Sequence, residues 1–137
     1  MQRLELQKLA ICRIDDAVLL LKAKRYGAAY YLSGYAVELG FKACIARQFI
    51  AEDIPEKRYV DKIYSHQFGD LVGLAGLKLE LKNRQDSDSR FQAFWGIVSE
   101  WNVDSRYAII EPAAAQLLLV AVTHPEHGVF PWIQTLW

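Results

Sequence analysis

The sequence predicts an all-α fold, an up-and-down bundle of four main helices with one or two short C-terminal helices added. Three observations carry this. Apolar residues recur at helical spacing through most of the chain. The stretch from Tyr26 to Phe49 is apolar almost all round, as a central helix should be. No two segments alternate in a way that would pair as strands.

Helix one is expected from about Arg3 to Lys22. Leu6, Ala10, Ile14, Ala17 and Leu21 set its apolar stripe, and Glu5, Lys8, Arg13, Asp15 and Asp16 its polar side. A tight junction near Arg25–Gly27 makes an antiparallel hairpin with helix two. Helix two, Tyr26 to Phe49, is about 35 Å long at helical rise. Ala29, Ser33, Ala36, Gly40 and Ala43 form a small-residue stripe along it that permits close approach by a neighbour. Glu38 and Lys42 sit one turn apart in its middle, in the favourable order for an ion pair.

The charged segment 51–64 contains Pro55 and reads as a connecting loop with room for one helical turn. Ser65 is the expected N-cap of helix three, with His66 in its first turn and Phe68, Leu71, Val72 and Ala75 on one face. The following LKLELK reads as a fraying helix end, and residues 82–90 as an exposed polar loop. Helix four is expected over Phe91–Trp101, and a second loop over residues 102–111. Helix five runs from Pro112, a residue suited to a first helical turn, to about Val122. The apolar tail has its last helical turns from Pro131 and should dock on the bundle or on a second subunit.

The chain's 137 residues suit one domain, 1–137. Sixteen basic residues balance sixteen acidic ones, so long-range attraction to nucleic acid is not a global property. RNA or nucleotide binding therefore finds no support in net charge. Lys22, Lys24 and Arg25 make a local basic cluster that reads as a solvated helix end. A near-neutral chain invites self-association. Cys12 and Cys44 are expected to be buried small apolar groups in a reducing compartment, not a disulfide. The first residues do not read as a signal peptide. The longest apolar run, Pro112–Val122, falls short of the roughly 20 residues a membrane helix needs, so a cytoplasmic protein without a membrane partner is expected.

Three segments give the chain a resemblance to the HEPN family (higher eukaryotes and prokaryotes nucleotide-binding). YYLSGYAVELGFKACIAR, Tyr30 to Arg47, is similar to the family's second helix. SHQFGDLVGLAGL, Ser65 to Leu77, opens on a His. FWGIVSEWNVDSRY, Phe94 to Tyr107, places a Trp before an Arg-Tyr pair. The resemblance implies a four- or five-helix bundle, usually a homodimer. It also implies a prokaryotic setting in which a minimal nucleotidyltransferase is the partner, in a toxin–antitoxin or defence locus. Family members that are metal-independent ribonucleases carry an Arg followed, after four to six residues, by a His. No pair here has that spacing: Arg58 and His66, the nearest, have seven residues between them.

The expectation is therefore a HEPN-like module without that ribonuclease motif, leaning away from an enzyme. Two alternatives stand beside it. One is a ribonuclease with a displaced active site built from His66 and Arg106. The other is a non-catalytic nucleotide- or small-ligand-binding bundle. No residue is assigned as catalytic. Glu38, Lys42, His66, Arg106 and Tyr107 are the candidates for a polar groove. Glu38 and Lys42 read first as a structural ion pair and second as a polar spot lining a groove. His66 reads first as a helix-start residue hydrogen-bonding locally, and otherwise as a titratable neighbour of Glu38. Arg106 reads first as paired with Asp104, Glu100 or Glu38, and otherwise as a fork suited to phosphate. His124, Glu126 and His127 flank Pro125 without a third His or a nearby Cys, so no metal and no cofactor is expected.

Overall fold

The computed structural model describes Met1–Trp137. The chain is all-helical, with eight α-helices, one 3-10 turn and no strand. Helix α1 spans Arg3–Lys22, and its first turn is closed by the Gln2 N–H donating to Glu5 Oε2 at 3.2 Å. Leu6, Ala10 and Ala17 are its buried face. The turn Ala23–Arg25 reverses the chain, with Lys24 in the left-handed region at φ 60°. Gly27 lies inside the next helix and not in the turn, because Tyr26 already begins helix α2, Tyr26–Ala46.

Thirteen of the 21 residues of α2 are buried, which no surface helix could match. It packs against α1 along its length and also touches four later elements. Ala29, Ser33, Ala36, Gly40 and Ala43 are all buried, so the small-residue stripe is used within this chain. At Gly40 a methyl group would already lie 3.0 Å from Ile133, which is how closely α8 approaches. The helix stops at Ala46 rather than Phe49, since Phe49 and Ile50 turn outward and are exposed.

Segment 51–64 is not merely a loop. Helix α3, Lys57–Ile63, forms there because Pro55 lies ahead of its N-cap Glu56, where it costs no hydrogen bond. Ser65 does not cap α4, Phe68–Leu74; the N-cap is Gln67, and His66 precedes the helix. Ser65 instead holds the lead-in turn, its Oγ accepting from the Gln67 N–H and donating to Asp70. Gly76, at φ 69°, ends the helix: the Leu77 N–H reaches Val72 O and the Gly76 N–H reaches Gly73 O.

The expected fraying end and polar loop are also helical. Helix α5, Lys78–Ser87, has no fully buried residue, so its sequence shows no apolar stripe. Asp88 breaks the chain and caps α6, Ser89–Ser99, with Oδ1 accepting from the N–H groups of Arg90 and Phe91 at 3.1 and 3.0 Å. Trp101 lies beyond α6, ahead of a 3-10 turn over Val103–Tyr107 where a loop was expected. Helix α7, Pro112–Thr123, starts on its proline as expected. Helix α8, Val129–Gln134, starts two residues before Pro131 and buries Val129, Phe130, Trp132 and Ile133 against the core. No helix is long and apolar enough to cross a membrane.

The α7–α8 corner depends on Gly128. A methyl group there would sit 2.5 Å from His124 O, 2.7 Å from His124 N and 2.8 Å from Val122 O. All three are backbone atoms, which cannot step aside as a flexible side chain could. Gly128→Ala is expected to cost at least about 2 kcal/mol by overpacking, read as a lower urea midpoint at unchanged slope.

Candidate functional site

Glu38 is the most deeply buried charged side chain of the molecule, 1% exposed in the middle of α2. An isolated carboxylate in that position would be very costly, so its partners define it. Lys42 Nζ donates to Oε1 at 2.8 Å from one turn further on. His66 Nδ1 lies 3.0 Å from both Oε1 and Oε2, coming from the turn between α3 and α4. The carboxylate can only accept, so Nδ1 carries the proton. That fixes the tautomer and leaves Nε2 as the free acceptor of the neutral ring.

The three groups differ sharply in access. Lys42 is almost as buried as Glu38, but the His66 side chain is half exposed. His66 forms one edge of a groove of ≈ 580 Å³ between α4, the start of α5 and the end of α6. The groove wall is aromatic: Phe68 and Trp101 stack at 5.3 Å with 7° between their planes, and Trp95 lines the same space. Lys78, Ser99, Glu100 and Asn102 supply polar groups around it. The Tyr35 hydroxyl, one turn before Glu38, is pushed above the ordinary phenol range by burial first and by the Glu38 charge second, so it stays a neutral donor.

Arg106 and Tyr107 do not join this site. Arg106 lies over the Tyr107 ring at 4.9 Å, on an exposed 3-10 turn. Arg106 borders a shallow hollow of ≈ 320 Å³ with Gly27, Ala28 and Tyr31. Those positions precede Glu38 by at least seven residues of α2, which is about 10 Å or more along the axis. His66 is therefore without the arginine with which the sequence suggested it could be grouped.

A second polar cluster went unrecognised in the sequence. His127 Nδ1 donates to Asp88 Oδ2 at 2.7 Å, and Arg84 lies 3.2 Å from the same oxygen. The His127 hydrogen bond, with the Phe91 N–H after it, holds the Asp88 carboxyl below its ordinary range. Asp88 and His127 are 39 positions apart, and nothing in either local pattern pairs them. His124 Nδ1 accepts the N–H groups of Glu126 and His127, so both histidines hold the α7–α8 turn and clamp it to the α5–α6 break. The cysteines also divide. Cys44 is buried, and burial raises its thiol to about 11, whereas Cys12 is exposed, contrary to expectation, on the outer side of α1. Titration of the folded protein with a thiol-specific disulfide reagent at pH 8 should show one fast thiol and one that reacts only on unfolding.

No protein-family model, curated protein or solved structure matches the chain.

Proposed function

We propose that the chain is a HEPN-type binding module, homodimeric, whose ligand groove is the aromatic-walled space beside His66. The observation that carries this is the buried Glu38 carboxylate holding His66 Nδ1. It orients a half-exposed ring, with a free Nε2, at a groove of ligand size. A nucleotide suits the groove: a base against Trp95, and phosphate toward Lys78. On this reading α1, α2, α6 and α7 are the four main helices of an up-and-down bundle. The exposed side of α7, with Leu117 and Val120 about half exposed and no charge from Pro112 to Thr123, is the surface for the second copy. A minimal nucleotidyltransferase in a prokaryotic, cytoplasmic toxin–antitoxin or defence system remains the proposed partner. The ribonuclease alternative has lost its arginine and gains no observation of its own.

The test is a melting-temperature screen against nucleoside mono- and triphosphates. A shift that disappears in His66→Ala and Trp95→Ala and persists in Arg106→Ala supports the groove. No shift with any nucleotide at millimolar concentration, or a shift lost only in Arg106→Ala, overturns it. Light scattering should give a dimer mass that Leu117→Asp halves; a monomer mass for the unaltered chain overturns the homodimer.

A further inference from the structure

We infer that a second groove, on the other side of Glu38 from His66, binds a small amphipathic carboxylate by its alkyl chain and its head group. This groove, ≈ 350 Å³, lies between the start of α1, the end of α2 and α3. It shares no lining residue with the His66 groove. Glu38 links the two, taking Lys42 from one and His66 from the other.

The lining states the ligand's chemistry. Leu6, Ile45, Ala46, Phe49, Val60 and Ile63 are among its apolar walls. The only charged side chains in the lining are those of Lys42 and Arg3, and no acidic side chain lines the groove. The lining side chains are mostly apolar and offer few partners to the N–H and C=O groups of an extended peptide. An alkyl chain needs no such partners. The Lys42 ammonium supplies the head-group contact. It is nine-tenths buried, yet its one hydrogen bond is to Glu38, and an ammonium has three donors. An anionic oxygen at the head of an apolar chain completes that shell with a charge-assisted bond. A cationic head group would meet Lys42 and Arg3 with like charge. Phe49 and Tyr64, both exposed, stand where the chain would enter.

The experiment is calorimetric titration of the full-length protein with straight-chain carboxylates of six, eight and ten carbons, with decanol and with decyltrimethylammonium. Decanoate should bind at least about tenfold tighter than decanol, and the ammonium should not bind. Each added methylene should strengthen binding by about fourfold until the groove is filled. Val60→Glu, at a half-buried position on α3, should abolish decanoate binding. Glu38→Leu with Lys42→Met, which removes the charge pair together, should erase the preference for decanoate over decanol. No binding of decanoate at millimolar concentration, equal binding of the ammonium, or no dependence on chain length overturns the inference. So does a decanoate preference that survives Glu38→Leu/Lys42→Met. Nucleotide binding at the His66 groove is measured separately, so the failure of one site leaves the other standing.

Discussion

Lys42→Ala is expected to lower stability by about 3 kcal/mol, near the lower end of the range for breaking a buried ion pair. At this chain length that is a fall in melting temperature of roughly 10 °C. The reason is asymmetric. Removing the ammonium does not remove the carboxylate, and Glu38 stays in a place where water cannot reach it. His66 limits the damage because it still spans both carboxylate oxygens at 3.0 Å. Glu38→Leu combined with Lys42→Met should recover most of the loss, since an apolar pair of similar volume has no desolvation to overcome. Thermal denaturation of the two variants decides the matter. A double variant as unstable as the sum of its single changes would mean that packing, not charge, is what the pair contributes.

The same trio shows what the sequence makes legible. Glu38 and Lys42 stand four positions apart on one helix, so local spacing alone reveals their pairing. His66 reaches Glu38 across 28 positions, so no local spacing reveals the contact, and the sequence offers it only as the alternative to a locally bonded helix start. Its true position, in the turn before α4, follows from Ser65 bonding to Asp70 and Gln67, a competition that local propensity does not rank. The central helix is readable because burial on every side leaves an unmistakable composition. Helix α5 is not, because none of its residues is fully buried: Leu79 is exposed, and Leu81 alone of its two leucines packs against the core. The sequence groups Arg106 with His66 as polar residues that other helices could bring to Glu38 and Lys42. The three-dimensional path puts Arg106 beside the first turn of α2 and Glu38 well beyond it.

Gly34→Ala should be as damaging, and in a way that ties the core to the groove. On helix propensity alone the change should gain about 1 kcal/mol. The added methyl, however, would lie 2.3 Å from three atoms of the Trp101 indole, where carbon atoms need about 3.5 Å. Trp101 cannot retreat, because its other face is stacked on Phe68 at 5.3 Å. Expelling the ring costs about as much as truncating a buried tryptophan, ~3–5 kcal/mol, so the net loss is about 2–4 kcal/mol. The displaced indole has one open direction, the groove that it lines with His66 and Trp95. Its Nε1 has no hydrogen-bond partner in the native packing, so no directional bond resists the move. Gly34→Ala should therefore lose stability and groove binding together. Trp101→Leu introduced alongside it should restore part of the stability without restoring the groove wall. Chemical denaturation measures the first effect, and Trp fluorescence reports the indole entering solvent. A Gly34→Ala protein with unchanged midpoint and emission would mean that α2 and Trp101 are not packed this closely.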